Sequence, residues 1–344
     1  MRQLIDLICL GELLIDFVPC SQEGQELRSV EVFQKMPGGA PANVAVGFSR
    51  LGGKSGFIGK VGDDEFGKFL DQTLSSAGVD TRCLHFTESA LTGLAFVSLR
   101  PDGERDFLFY RNPAADMLLE ASEVDMELIQ AAHILHFGSI SLISSPAKEA
   151  TLAAIQYAAE NGKIVSFDPN LRPPLWRDLA TARREILHAL EFASMVKVSG
   201  EELAFIASDN RLMPAVELVF RDYPLLRLIA VTLGKAGCVI CLRDRQFPVP
   251  GFRVEAVDAT GAGDGFTAGL LFMIDEAIAG SVMQTSCEQV WELQDEFWVS
   301  AGRFANAIGA IVVTGKGAIP SMPTYQTVTD FLRSAEKYPN LSVC

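Results

Sequence analysis

The chain has 344 residues, of which 49% are hydrophobic and 21% are charged, a composition typical of a soluble globular protein. The formal net charge of −14 argues against nucleic acid as a partner, because phosphate backbones are bound by clustered Lys and Arg. The length is compatible with one large α/β domain or with two smaller ones.

The cysteines and the N-terminus both indicate a cytoplasmic protein. Seven scattered cysteines favour reduced thiols over a disulfide framework. Cys238 and Cys241 have CxxC spacing, but they lie in an apolar run, where residues three apart face opposite sides of a strand. The apolar N-terminal run is interrupted by Asp6, Glu12 and Asp16, and no apolar stretch reaches the roughly 18 residues of a membrane span. We therefore expect a cytoplasmic protein without membrane contact, unless a targeting extension precedes this sequence.

Short apolar runs alternate with longer helical patterns along the chain. The predicted strands are residues 5–10, 55–61, 133–137, 164–168, 195–198, 228–232 and 238–242. The predicted helices are residues 42–51, 65–77, 146–160, 181–193, 262–273 and 298–312. Residues 208–214 and 280–287 are predicted loops, and residues 338–344 a tail. The alternation predicts an α/β fold with a mostly parallel sheet covered on both faces.

Two segments break this alternation. Residues 30–36, together with the end of the first strand, are predicted to form a short extended segment. Residues 92–112 form two alternating arms around Pro101, Asp102 and Gly103, which predicts a β-hairpin. We expect a small sheet beside the main one, either a lid over a pocket or an edge meander without a functional role.

Two glycine-rich interpretations fail on spacing. Residues 47–55 end in Gly-Lys-Ser, but a Walker loop requires glycine at the position of Phe48. Residues 257–271 lack the G-x-G-x-x-G spacing of a dinucleotide site, because Phe266 stands where the third glycine would be.

The same stretch is better explained as an anion site. Gly261, Ala262 and Gly263 directly precede a helical pattern, and the free N–H groups of a first helical turn bind anions. Asp264 beside them has the chemistry to take a proton from a hydroxyl that attacks phosphorus. Spacing alone leaves open that Asp264 is only an acidic residue favoured at a helix N-terminus.

Two long signatures resemble those of the ribokinase-like (PfkB-type) carbohydrate kinases. DATGAGDGFTAGLL (258–271) resembles the C-terminal signature, and PGGAPANVAVGFSRLGG (37–53) with GKVGDDEFG (59–67) resembles the N-terminal one. The resemblance runs from about residue 7 to about residue 323. Within the family, FYRNPAADMLL (109–119), FDPNLRPPLW (167–176) and KGAIPSMP (316–323) are most similar to fructokinases. The family implies one domain over residues 1–344. That domain would be a three-layer α/β/α core with a β lid built from about residues 12–37 and 92–112.

The resemblance also implies a reaction. A fructokinase transfers the γ-phosphoryl group of Mg·ATP to the 6-hydroxyl of D-fructose. In this chain the resemblance implies Asp264 as the general base and Gly261, Ala262 and Gly263 as the anion hole. A kinase for 2-keto-3-deoxygluconate or another sugar is the nearest alternative. A non-catalytic scaffold of the same fold is a remote one.

The sugar contacts carry over to matching positions. They are Asp16, Gly38, Gly39, Asn43, Arg111, Asn170 and Arg172, with Asp264. Without the resemblance, Asp16 is explained equally well as a strand-end acid and Asn43 as a helix cap, and an ordinary surface position is the less favoured alternative for the two arginines.

Nucleotide and metal contacts carry over in the same way. The nucleotide positions are Lys197, Ser199, Thr232, Gly234, Gly237, Gly261, Gly263 and Asn306. The family's N-x-x-E motif matches Ser199 and Glu202, so serine replaces asparagine and Glu202 is expected to act on Mg²⁺ through water. The positions that match a monovalent cation site, expected to hold K⁺, are Asp258, Thr260, Gly315, Gly317 and Ser321. Homodimerisation through the lid is a further expectation.

Overall fold

A nine-stranded sheet forms the centre of the computed structural model, which describes residues 5–20, 26–99, 105–279 and 285–337. The strands are β1 (Leu7–Leu10), β2 (Leu14–Pro19), β3 (Phe33–Gly38), β4 (Ser55–Gly62), β5 (Asp80–Thr87), β6 (Leu94–Leu99), β7 (Arg105–Tyr110), β8 (Ile134–Gly138), β9 (Ile164–Asp168), β10 (Met195–Ser199), β11 (Leu228–Thr232), β12 (Gly237–Leu242) and β13 (Gln246–Pro250). The helices are α1 (Ala40–Leu51), α2 (Glu65–Ser76), α3 (Met126–Ala131), α4 (Ala147–Glu160), α5 (Leu179–Leu190), α6 (Gly200–Ala207), α7 (Leu212–Asp222), α8 (Ala262–Ala279), α9 (Asp295–Val312), α10 (Ala318–Ser321) and α11 (Tyr325–Lys337).

The large sheet has the order β13-β12-β11-β10-β9-β8-β1-β4-β5. Its strands run parallel except β12, which pairs antiparallel with both β11 and β13. Leu7 and Cys9 of β1 belong to the core cluster on one face, and Ile8 and Leu10 to the cluster on the other. Helices α1, α8 and α9 cover the first face and α4, α5 and α7 the second. The predicted three-layer α/β/α core with a mostly parallel sheet is confirmed.

Every predicted strand and helix of the core is present, with ends shifted by a few residues. The elements that the sequence pattern did not indicate are the strands β5 and β13 and the helices α3, α6, α7, α10 and α11. The predicted loop at 208–214 is wrong in its second half, because α7 begins at Leu212. Pro214 suggested a loop, but it lies in the first turn of α7, where a helix does not need its N–H. The turn at 101–103, residues 280–284 and the tail at 338–344 lie outside the described residues.

A second, small sheet has the order β3-β2-β6-β7 and comes from the two segments that break the alternation. Its four strands are joined by antiparallel β2–β3 and β6–β7 pairs and a parallel β2–β6 pair. Phe17 and Phe96 stack within it, with ring centroids 4.9 Å apart. Because β1 leads into β2 across only three residues, the small sheet stands at the carboxyl end of the parallel strands. Ligands of open α/β sheets bind at that edge.

The two cysteines with CxxC spacing lie on opposite faces of one strand. Cys238 and Cys241 are free thiols in β12 and belong to opposite core clusters, so their CxxC spacing brings no sulfur pair together. None of the helices within the described ranges combines the length and the apolar character that crossing a membrane requires.

Candidate active site

The glycine-rich turn lies directly before α8. Gly261 has a φ of 80°, a conformation that favours glycine, and a Cβ on it would collide with Ala318. The N–H of Ala262 donates to the carbonyl of Ala259 at 3.3 Å, so the amides of Gly263 and Asp264 are the ones that the helix geometry leaves open. A Cβ on Gly263 would stand 2.7 Å from the Nζ atom of Lys197. The turn is therefore bare backbone facing an ammonium group.

Asp264 is held in the first turn of α8 by two amides. Asn43 of α1 donates from Nδ2 to Oδ2 of Asp264 at 2.7 Å, and Asn170 approaches Oδ1 at 3.5 Å. The side chain is buried, with 7% of the residue exposed. Burial and the nearby Asp168 carboxylate raise the pKa of Asp264 to about 6, while the Asn43 bond lowers it. Above that pH the carboxylate is ionised, buried and able to accept a proton.

A second charged pair lies beside Asp264. Lys197 of β10 donates from Nζ to Oδ2 of Asp168 at the end of β9, at 2.9 Å, and both residues are buried. Burial alone would lower the pKa of Lys197, but Asp168 and Glu202 raise it, so the ammonium stays charged. The positive charge faces the glycine turn although the whole chain is acidic. Such local charge is what an anion site on this protein requires.

Two cavities meet at this turn. One of about 590 Å³ lies between the small sheet and the core, and the other, of about 570 Å³, lies between the β11–β12 turn, α8 and α9. Of the predicted residues, the first cavity is lined by Asp16, Gly39, Asn43, Asn170, Arg172, Lys197, Ser199, Glu202, Thr260, Gly261, Gly263 and Asp264. The second is lined by Thr232, Gly234, Gly237, Ala262, Gly263 and Asn306. Gly263 lines both cavities, so a group in one can reach a group in the other across the turn.

The second cavity is mostly apolar with two basic residues, Lys235 and Arg253, in its lining. Asn306 of α9 donates its amide to the carbonyls of Val249 and Pro250, at 3.1 and 3.2 Å. This amide is therefore fixed by the end of β13, and the apolar walls suit a flat ring system.

Comparison with known proteins identifies the family. A profile described as pfkB family carbohydrate kinase matches residues 4–325. The chain belongs to the pfkB family of carbohydrate kinases.

Its relatives include fructokinases. Fructokinase-1 of Zea mays is 46% identical over 335 residues, which cover 97% of this chain and 99% of that protein. Among solved structures, a Xylella fastidiosa fructokinase with bound ATP has a TM-score of 0.84 at 35% identity, covering 96% of this chain and 99% of its own. A Vibrio cholerae O395 fructokinase double mutant, bound to fructose, ADP and a potassium ion, has a TM-score of 0.82 at 33% identity, with the same coverage.

Two residues expected at the sugar of this pfkB kinase do not line the first cavity. Arg111 is buried in an ion pair with Asp116, five residues further along the chain. Gly38 packs against Asp16, and a Cβ on Gly38 would collide with the Asp16 carboxylate. Gly38 therefore leaves room for the side chain of Asp16, which does line the cavity.

Ser199 and Glu202, the altered N-x-x-E motif, form a capping box at the start of α6. The Ser199 hydroxyl accepts from the N–H of Glu202 at 3.1 Å, and Glu202 Oε2 accepts from the N–H of Ser199 at 2.8 Å. Glu202 Oε1 accepts from the N–H of Leu171 at 2.8 Å. Each carboxylate oxygen thus has one backbone donor and one lone pair left for water. Glu201 beside it also lines the cavity.

The segments expected to hold a monovalent cation lie together. Asp258 accepts from the N–H and hydroxyl of Thr260, at 2.9 and 2.7 Å, and from the N–H of Gly317 at 2.9 Å. Gly315 leaves room for Ser321, because a Cβ there would collide with the Ser321 hydroxyl. The two loops are oxygen-rich and adjoin the glycine turn, so their donor set fits an alkali cation.

Several lining residues were not predicted. Asp168 could have been predicted as a site residue from the sequence, because it ends a predicted strand at the edge of the sheet where ligands bind. Glu12 lies just before the small sheet and Phe109 within it, and neither residue has a spacing pattern in the sequence that indicates a site.

Far from these cavities, Asp6, His133 and Asp275 form a potential metal-ligand group at the amino ends of β1 and β8. There His133 Nδ1 lies 2.7 Å from Oδ1 of the buried Asp275, which joins α8 to the sheet.

Proposed function

We propose that this chain is a fructokinase, which transfers the γ-phosphoryl group of Mg·ATP to the 6-hydroxyl of D-fructose. One observation carries the proposal: the turn that lines both cavities places backbone amides and a buried carboxylate side by side. The fructokinase relatives, which match nearly the whole chain, support the substrate pair.

The sugar is bound between the small sheet and the core. Asp16 on β2 accepts hydrogen bonds from sugar hydroxyls, and Asn43 offers its Oδ1, which is buried and has no hydrogen-bond partner among the described residues. Gly39 keeps this wall free of bulk. When the small sheet closes as a lid, the site loses water and its charges act more strongly.

Asp264 is the general base. Its carboxylate, held by Asn43, takes the proton of the primary hydroxyl as the oxygen attacks the γ-phosphorus in line. The amides of the glycine turn and the Lys197 ammonium stabilise the charge that develops on the transferred phosphoryl group. Arg172, which lines the sugar cavity, adds a second positive group there.

The nucleotide occupies the second cavity. Thr232, Gly234 and Gly237 border its phosphates, and Asn306 stands beside the base. Glu202 would hold Mg²⁺ through water, with the lone pairs that its bonds from Ser199 and Leu171 leave free. Asp258, Thr260, Gly315, Gly317 and Ser321 would hold K⁺, which would supply a fixed positive charge between the two loops.

The contacts of Arg111 weaken the nearest alternative. A kinase for 2-keto-3-deoxygluconate needs cationic groups for the substrate carboxylate, and the sequence offers Arg111 and Arg172. Arg111 is neutralised by Asp116 and lies outside the lining of the sugar cavity. A scaffold without activity is disfavoured because Asp16, Asn43 and Asp264 converge on one cavity.

Three further features belong to this proposal. The chain is one kinase domain, with about residues 12–37 and 92–112 as its lid.

The exposed side chains of Leu108 and Tyr110 on the edge strand β7 favour a homodimer through the lid, which light scattering would test. A cytoplasmic location stays a prediction.

ADP release with a panel of sugars tests the function. Purified protein is assayed with fructose, glucose, ribose and 2-keto-3-deoxygluconate, each with K⁺ and with tetramethylammonium. We expect the highest kcat/KM with fructose and a faster rate with K⁺. A higher kcat/KM with 2-keto-3-deoxygluconate would replace fructose as the substrate, and no ADP release with any sugar would contradict kinase activity.

A further inference from the structure

Glu12 lies between β1 and β2 and has the surroundings of a functional side chain. It is almost fully buried, with 2% of its surface exposed, and it lines the sugar cavity. Its Oε1 atom accepts from the N–H of Ala40 at 2.9 Å. Its Oε2 atom is buried and has no hydrogen-bond partner among the described residues. A carboxylate left in this state costs free energy, so a core that needed only packing would hold an apolar side chain here.

The charged groups that act on Glu12 belong to the chain segment that follows β7. Arg111 directly follows β7, forms a buried ion pair with Asp116, and acts on Glu12 through its positive charge. Burial raises the pKa of Glu12 to about 7, while Arg111 lowers it and Asp116 raises it. One guanidinium therefore stands among two buried carboxyl groups.

The chain crosses between the small sheet and the core at this cluster of Glu12, Arg111 and Asp116. Glu12 itself is on the β1–β2 crossing, and Ala40, its hydrogen-bond donor, follows the β3–α1 crossing. Gly93 precedes β6, and a Cβ on it would be 3.3 Å from both Arg111 Cγ and Asp116 Oδ1. Arg111 is on the crossing after β7. All four crossings within the described chain therefore meet at one buried charge cluster.

The position of Ala40 connects this cluster to the reacting groups. Ala40 is the first residue of α1, and Asn43, one turn later, donates to Asp264. Asp16, four residues after Glu12, lies on β2 in the small sheet. Asp16 thus lies in the small sheet and Asn43 in the core, and the chain crossings between these two parts set the positions of the two side chains relative to each other.

We propose that Glu12 is a positioning residue, which holds the start of α1 by its hydrogen bond from Ala40 and is attracted by the charge of Arg111, so that the small sheet and the core present Asp16 and Asn43 to one sugar molecule. This inference rests on the proposed function, and it assigns Arg111 to the same joint. It predicts a selective defect, because the nucleotide cavity is lined by core residues between positions 232 and 313 and by none of the small sheet.

Steady-state kinetics of three folded variants test it, with KM for fructose and for ATP measured separately. Glu12→Ala removes the hydrogen bond from Ala40 and the charge that attracts Arg111. We expect KM for fructose to rise by about fivefold or more, which is the effect of one lost hydrogen bond, while KM for ATP stays within about twofold of the wild type. Glu12→Gln keeps an acceptor for Ala40 but no charge, so its KM for fructose is expected between those of Glu12→Ala and the wild type. Glu185→Gln is the control, because Glu185 of α5 is 8% exposed, forms ion pairs with Lys148 of α4 and Arg184 of α5, and lines neither cavity.

The outcomes separate clearly. A KM for fructose within about twofold of the wild type, in each Glu12 variant that folds, would overturn the proposal. Equal rises in KM for fructose and KM for ATP would also overturn it, because they would indicate a general structural defect. Glu185→Gln shows the effect of such a defect away from both cavities. If the wild type prefers another sugar, the same ratios are measured with that sugar, so the proposed function and the role of Glu12 fail independently.

Discussion

Removing the Asn43 amide is expected to change the pH dependence of catalysis. In the wild type, the pKa of Asp264 is raised to about 6 by burial and by Asp168, and the 2.7 Å bond from Asn43 opposes this rise. Asn43→Ala removes that bond from a buried carboxylate. A hydrogen bond to a charged group contributes about 1.5 kcal/mol, and one pKa unit corresponds to about 1.4 kcal/mol, so the pKa rises by about one unit.

The sign follows from the role of the base. Only ionised Asp264 accepts a proton, so activity falls as the pH drops through its pKa. At a pH near the wild-type value of about 6, half of the wild-type carboxylates are ionised. The variant keeps about a fifth of that ionised fraction. Loss of the sugar contact lowers kcat/KM at every pH, so the readout is the midpoint of the acid limb and not the absolute rate.

The assay is the profile of kcat/KM for fructose between acid and neutral pH at saturating ATP, which reports the ionisation of the ATP-bound enzyme before fructose binds. The matched control is Asn170→Gly, since the Asn170 contact to Asp264 is long, at 3.5 Å, and glycine adopts its φ of 41° without strain. We expect its midpoint to move by less than about half a unit. An acid limb that stays in place in Asn43→Ala would refute the assignment of Asp264 as the titrating base.

Three further variants test other parts of the site and the fold. Gly263→Ala places a methyl group 2.7 Å from Lys197 Nζ, so kcat should fall by about tenfold or more, and an unchanged kcat would remove the amine from the phosphate site. Asp258→Ala separates the two loops, so its rate should be equally low in K⁺ and in tetramethylammonium, unlike the wild type; a preserved preference for K⁺ would contradict this. Asp64 caps α2 through the N–H groups of Phe66 and Gly67, so urea unfolding of Asp64→Ala should show a loss of about 1–2 kcal/mol, and no loss would contradict the cap.

The anion turn and its base were predictable because they are local in sequence. The run from Asp258 to Asp264 contains the bare backbone, the helix start and the carboxylate together. The partner Asn43 lies 221 residues away, and only the second signature indicated it. The capping box of Ser199 and Glu202 was also readable, since Ser-x-x-Glu before an apolar run is a helix-start signal.

The side-chain partners of the small sheet were not predictable. Arg111 was expected at the substrate, and the ion pair with Asp116 depends on how the chain after β7 folds back into the core. Glu12 stood in an apolar run without any spacing signal. Its burial follows from the meeting of four chain crossings, which is a property of the tertiary structure.

Replacement of the proposed base is the most direct test of the central claim. Asp264→Asn keeps the shape of the side chain and its contact with Asn43 but cannot accept the proton. We expect the single-turnover rate of fructose phosphorylation to fall by about a thousandfold, within the range of general base catalysis, while the calorimetric Kd for fructose changes by less than about fivefold. A variant that binds fructose and phosphorylates it at a rate near that of the wild type would contradict the account.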